Sequence, residues 1–222
     1  MLEVWIAAAF FAASVAIVAN RLAGWRQRER EILNALQDVQ ATRIAAVRDG
    51  NVVKVVGELL YWGRPIVAPL SGRTCAFYSL VILKCEPPFS SGPQEWVELL
   101  REERGVDFLV GDGSGVALVR AGVEGTVLSS LVPDKKGSKT SFPNDGLRRL
   151  VVDRGLERPL SDVTLRAYEG VLEAGDRVAV GGLGRWHADP EGVGGYREAG
   201  LRLVLQGSNS LPLFISDDPK AL

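Results

Sequence analysis

From Asp49 to Ser216 the apolar residues arrive in short runs, and most runs are closed by glycine, proline, asparagine or aspartate. No other pattern constrains the fold as much. An amphipathic helix needs apolar positions every three or four residues over ten or more, and these runs are too short and too dense for that. Asp49-Gly50-Asn51 ends a helical pattern and switches the period to two. The runs predict strands at Val52 to Tyr61, Ile66 to Leu70, Cys75 to Leu83, Trp96 to Leu100, Phe108 to Val110, Val116 to Val119, Tyr168 to Leu172, Arg177 to Val180, Leu201 to Leu205 and Leu211 to Ile215. Trp62-Gly63-Arg64-Pro65 turns the first of them. Gly111-Asp112-Gly113-Ser114-Gly115 joins two as a hairpin, with Asp-Gly and Ser-Gly supplying its positive-φ positions. Residues 131–146 and 181–200 read as loops. A short helix follows the first loop, capped by Asn144 or Asp145, with Leu147, Leu150 and Val151 on one face and Gly155 at its end. About eight to ten short strands with one inserted helix predict a mainly β fold, a β-barrel or sandwich.

The first residues depart from this pattern. Val4 to Ala19 carries no charge, and Leu2 through Leu22 supplies the ~20 residues that cross a ~30 Å hydrocarbon core. Met1-Leu2-Glu3 lacks the basic start of a cleaved signal peptide, while Arg21, Arg26, Arg28 and Arg30 follow the span. Trp5 and Trp25 stand where interfacial aromatics belong. The expectation is an uncleaved transmembrane anchor at 2–22 in the cell (inner) membrane, with everything after Arg21 in the cytoplasm; a signal peptide and a buried Ala-rich helix are the alternatives. A juxtamembrane helix is expected at 23–48, with Ile32, Leu36 and Val39 in one stripe that either packs on the domain or pairs with a second copy. The β-domain then occupies 49–217, and 218–222 form a short tail.

Cys75, Cys85 and His187 are the only cysteines and histidine in the chain. A structural zinc site takes four such ligands, so zinc fingers, RING domains and ribbons are excluded, and no metal or cofactor is expected. The two cysteines, read on one extended strand, would stand ~33 Å apart against the ~6 Å that a disulfide spans. The net charge is -1, but residues 1–30 hold four Arg against two Glu, leaving 22 basic and 25 acidic groups after them. The β-domain is therefore mildly acidic. Its Lys135, Lys136 and Lys139 lie in one polar loop, and a nucleic-acid partner is not expected.

Val56-Gly57 is followed by Ala68-Pro69-Leu70-Ser71-Gly72-Arg73-Thr74-Cys75-Ala76-Phe77-Tyr78, then by Trp96, and by Phe108-Leu109 with Asp112 and Ser114-Gly115. Glu169 to Leu172, Gly175-Asp176-Arg177-Val178-Ala179-Val180-Gly181 and Leu213-Phe214-Ile215-Ser216 complete the series. In order and spacing this resembles the GIDE domain, also called the beside-a-membrane (BAM) domain, over about residues 45–217. The resemblance implies a β-module apposed to a membrane. It makes Gly57, Pro69, Gly72, Cys75, Tyr78, Trp96, Asp112, Gly115, Glu169, Gly175, Asp176 and Gly181 structural signature positions. The family includes a mitochondrial membrane-anchored E3 ubiquitin ligase in which the domain lies between two spans and a C-terminal RING carries the activity. The present sequence lacks the Cys and His ligands of a RING, so it is expected to be a bacterial-type form to which the ligase chemistry does not carry over.

Individual residues point the same way. Cys75 reads as a small buried hydrophobe, because no histidine lies near it in sequence to activate the thiol. His187 reads as a solvated loop residue with no nucleophile motif to serve. Gly111 to Gly115 is neither a nucleophile elbow, since Asp112 stands two before Ser114, nor a dinucleotide fingerprint, since Val116 takes the third glycine's place. Glu169 and Asp176 bracket one expected hairpin and read as caps. Tyr61, Trp62, Phe77, Tyr78 and Trp96 are either core or the ligand face of a barrel like the oligonucleotide-binding (OB) fold, whose strand rhythm the chain shares. The expectation is a single-pass, non-catalytic interaction module with no catalytic residues and an unidentified protein or ligand partner. A ubiquitin-ligase-related protein and an OB-like nucleic-acid or ligand binder are the alternatives.

Overall fold

The computed structural model describes residues 25–86, 95–122, 127–132, 140–141, 145–156, 165–189, 200–208 and 211–222. The expected anchor at 2–22, the lysines of residues 135–139 and the cap at Asn144 lie outside them. Among the described residues no helix is long and apolar enough to cross a membrane.

The fold is mainly β with a mixed sheet. In chain order its elements are α1 (Trp25–Gln37), a 3-10 turn (Ile44–Ala46), β1 (Val52–Tyr61), β2 (Ile66–Val67), β3 (Thr74–Cys75), β4 (Phe77–Glu86), β5 (Glu95–Gly105), β6 (Phe108–Gly111) and β7 (Val116–Val119). They continue with β8 (Val127–Ser130), β9 (Thr140–Ser141), α2 (Asp145–Asp153), β10 (Leu165–Leu172), β11 (Arg177–Asp189), β12 (Gly200–Gln206) and β13 (Leu213–Ser216). Five strands pair in a closed cycle. β1 is antiparallel to β6, β6 to β7, β12 to β11 and β11 back to β1, while β7 and β12 run parallel. Closure leaves these strands without a free edge among themselves. The period-2 residues Val53, Val55, Leu59, Phe108, Val110, Val178, Val180, Leu203 and Leu205 fill the interior and are all buried. β13 and β8 extend this sheet beyond β11.

A second sheet, in the order β5-β4-β10-β9, is assembled from two insertions into the cycle. The connection from β1 to β6 supplies β4 and β5, and the connection from β7 to β11 supplies β9 and β10. Phe77 and Leu172 from this sheet, with Leu131, join the core of the cycle. The other end is closed by Ile44 and Val47, 1% and 6% exposed. Each such buried side chain contributes roughly 1.5–3 kcal/mol.

Several expectations need correction. The helix expected to run to residue 48 stops at Gln37, because the backbone beyond it is drawn onto β1: Ala41 bridges Lys54, and the Thr42 N–H donates to the Lys54 carbonyl at 2.8 Å. Of the two uses expected for the stripe of Ile32, Leu36 and Val39, the structure has the packing on the domain, against Ala179 of β11 and Phe214 of β13. Cys75 and Cys85 do not share one strand, since the chain breaks at Ala76 between β3 and β4, and they form no disulfide with each other. The loop expected at 181–200 is strand as far as Asp189, which places His187 on β11 opposite Arg202. β10 and β11 form no hairpin; they belong to different sheets. β12 and β13 both lie against β11.

Candidate functional site

The signature positions form several separate clusters. Around the turn between β2 and β3, the Gly72 N–H donates to the Ala68 carbonyl at 3.0 Å and the Ala68 N–H to the Arg73 carbonyl at 2.8 Å. Gly72 takes φ 72, which a side chain would oppose. Glu169, 1% exposed on β10, turns its carboxylate onto this loop and accepts the N–H groups of Leu70 at 2.7 Å and Ser71 at 2.9 Å. Arg73 adds a two-pronged ion pair to Glu173, with Nε 3.1 Å from Oε1. Pro69, Gly72, Cys75 and Glu169, nearly a hundred residues apart in sequence, thus dock the first insertion onto the second. Cys75 is fully buried beside them, and burial first, then the Glu169 and Glu173 carboxylates, push its thiol up to about 12.

A second cluster ties the sheets at Leu59. Its N–H donates to the Asp176 carbonyl, and its own carbonyl accepts from Gly175, each at 2.8 Å. The Asp176 carboxylate accepts the Glu173 N–H at 2.7 Å, closing the turn that carries the chain from one sheet to the other. Gly57 lies nearby on β1, where a Cβ would stand 2.3 Å from the Gly111 carbonyl oxygen. In the third cluster Asp112 accepts the N–H groups of Ser114 and Gly115 with one oxygen and that of Ile44, at 2.8 Å, with the other. Burial pushes Asp112 up, but these donors outweigh it and hold its carboxyl below the usual range. Of the hairpin glycines only Gly113 has positive φ; Gly115 is needed because a Cβ would sit 2.9 Å from Ile44 Cγ2.

On the second sheet, Tyr78, 3% exposed, donates its hydroxyl to Glu102, which Arg154 beyond α2 also grips at 2.6 and 3.0 Å. The arginine, ahead of the tyrosine, holds Glu102 below its ordinary value, whereas burial and then Glu102 push the Tyr78 hydroxyl up to about 12. Trp96 lies under the Arg166 guanidinium, 3.9 Å from the ring centre. Gly181 sits in β11 between Lys54 and Phe214.

A cleft opens beside the end of the cycle where β1, β7 and β12 finish and β6 begins. It measures about 630 Å³ and is lined by Trp62, Arg64, Asp107, Arg120 and Gln206 together with the backbone of Gly105 and Gly122. Gly63, at φ 75, turns the chain between Trp62 and Arg64. The Arg202 guanidinium lies 4.6 Å from the centre of the Trp62 ring and is paired to Asp189 at 2.7 Å. Asp107 holds Arg120 at 2.6 Å and accepts the Gly122 N–H at 3.1 Å. Arg64 is exposed and makes no hydrogen bond or ion pair among the described residues.

Trp62 is a candidate ligand-face aromatic in the sequence, but the cleft has no sequence signal, because its walls come from four separated segments. Among the described residues no group of three or more His, Cys, Asp or Glu side chains could hold a metal ion. The arrangement can stack a planar group, pair an anion and donate hydrogen bonds. No family model matches the chain, and neither a curated protein nor a solved structure matches it.

Proposed function

We propose that the chain is a single-pass, membrane-anchored, non-catalytic interaction module of the GIDE type. Its β-domain lies on the cytoplasmic side and binds a partner or ligand through the cleft beside Trp62. The observation that carries this reading is the cleft itself, an open site with Trp62 against the Arg202 guanidinium, Arg120 paired to Asp107 and an exposed Arg64, and with no reactive constellation in its lining. The signature carboxylates Glu169, Asp112 and Asp176 are engaged with backbone N–H groups of loops and turns, as structural positions would be. The Cys75 thiol, pushed up to about 12, is not a nucleophile at neutral pH. The closed cycle with its parallel β7–β12 pair supports the finer reading of an OB-like barrel, whose ligands lie across the outer strands and loops.

Affinity capture from native membranes, with the full chain against its Trp62→Ala variant, tests the proposal. A companion lost with the variant, while thermal unfolding stays unchanged, is the expected result. Capture indifferent to Trp62 overturns it. A reporter fused after Leu222 that is active only outside the cytoplasm overturns the orientation. Trp62 with Arg202 also has the form of a stacking platform for single-stranded nucleic acid; salt-dependent binding of single strands would favour that second reading.

A further inference from the structure

We propose that the cleft holds the phosphate of an anionic lipid headgroup, an inference that rests on the membrane-anchored reading above. Four features of the site select for phosphate at a bilayer surface. Arg64 is exposed at the rim without a counter-charge among the described residues, and a planar guanidinium matches phosphate oxygens two at a time. Arg120 is half exposed, and its pairing with Asp107 through Nη1 engages one of its five N–H donors. With Asp107 included, the lining side chains still carry one net positive charge, on a domain whose sequence is otherwise mildly acidic. Trp62 supplies a ring with an apolar body and a polar N–H, the side-chain type that settles at membrane interfaces.

The position of the cleft names the source of the phosphate. Arg28, in the first described turn of α1, pairs with Glu103 of β5 at 3.0 Å, and Glu103 also accepts the Ser129 hydroxyl at 3.0 Å. Gly105, two residues along β5 and so within ~7 Å of Glu103, lines the cleft. The first described turn of α1 is therefore tied to the strand whose end lines the cleft. If residues 2–22 cross a bilayer, Arg28 follows the span by six residues and the cleft stands within reach of the headgroups. Two arginines near an anionic surface would bind it roughly fivefold more tightly for each charge.

The test places the full chain in bilayer discs of phosphatidylcholine alone, or with phosphatidylglycerol added, and reads amide hydrogen exchange. Segments 60–66 and 104–108 should exchange at least about fivefold more slowly in the anionic discs. The variant carrying Arg64→Gln and Arg120→Gln should lose that protection while β11 and β12 keep theirs. Equal exchange in both discs, or protection that survives in the variant, overturns the proposal. Protection of the same size from inorganic phosphate added to neutral discs would assign the cleft to a soluble phosphate compound, and overturns the lipid. A chain that does not enter neutral discs sinks the anchor reading instead. Flotation with vesicles of the two compositions then decides: binding to anionic vesicles alone, lost in the variant, supports the headgroup site, and no binding overturns it.

Discussion

The Glu169 carboxylate on β10 accepts the backbone N–H of Ser71 at 2.9 Å, bridging 98 residues of sequence. Its second oxygen takes the Leu70 N–H, so one buried side chain anchors the loop of one insertion to the strand of another. Glu169→Gln keeps one acceptor and turns an NH2 group toward the other amide. Leaving a buried N–H unpaired costs about 1–3 kcal/mol, and Glu169→Leu, which removes both acceptors, should cost more. Chemical denaturation should rank wild type above Gln above Leu, with faster exchange at Leu70 and Ser71. A Leu variant as stable as wild type would show that the carboxylate does not hold the turn.

Two glycines that look alike in sequence should respond differently to alanine. Gly175 has φ 91 and open space around it, so Gly175→Ala meets only backbone strain, about 1–2 kcal/mol. At Gly57 a Cβ would meet the Gly111 oxygen at 2.3 Å and Val110 Cγ1 at 2.7 Å, and the first of these is backbone of a neighbouring strand. Gly57→Ala should therefore lower the melting temperature further than Gly175→Ala. The reverse ranking would mean that β1 and β6 can part without cost.

Which parts of this fold were legible follows from what each glycine and charge does. The runs around Val52, Phe108, Val116 and Leu201 were readable because alternate residues fill one interior. The sequence pattern ends β11 at Val180, because Gly181, Gly182 and Gly184 read as loop. At Gly182 a Cβ would instead stand 2.7 Å from Leu213 Cδ1, and at Gly184 3.1 Å from Val47 Cγ1, so these glycines admit neighbours rather than turn the chain. The sequence pattern ends β5 at Leu100 because Glu102, Glu103 and Arg104 break its apolar run, although Glu102 and Glu103 are engaged with Tyr78, Arg154, Arg28 and Ser129. The sequence names the signature residues one by one but does not say which of them meet. That depends on pairing two distant insertions, and no local pattern encodes it.

The two cysteines should separate by reactivity. Cys75 is fully buried, and with its thiol pushed up to about 12 only ~10⁻⁴ of it would be thiolate at pH 8. Cys85 is partly exposed on β4. A maleimide should modify one thiol of the native chain within minutes and the second only in denaturant. In the Cys85→Ser variant the native protein should stay unlabelled. Rapid labelling of that variant would contradict the burial and reopen a reactive role for Cys75.

Asp217, just after β13, gives stability a pH dependence opposite to that of a salt-bridged carboxylate. Burial, reinforced by Asp176 and Asp218 and only partly offset by the Val132 N–H at 2.7 Å, pushes its carboxyl from 3.8 up to about 6. The folded state thus holds a proton that the unfolded chain releases. The stability linked to that proton is fully present below pH 3.8 and is lost as pH rises through 6. Asp217→Asn keeps an oxygen for the Val132 N–H and removes the charge. Wild type and variant should therefore be about equally stable near pH 4, diverge between pH 4 and 6, and differ at pH 7.5 by roughly 2–3 kcal/mol in favour of Asn. Denaturation series at four pH values measure this difference directly, free of the other titrating groups that both proteins share. A gap that is constant with pH would place the Asp217 carboxylate in water rather than against the β13 end of the sheet.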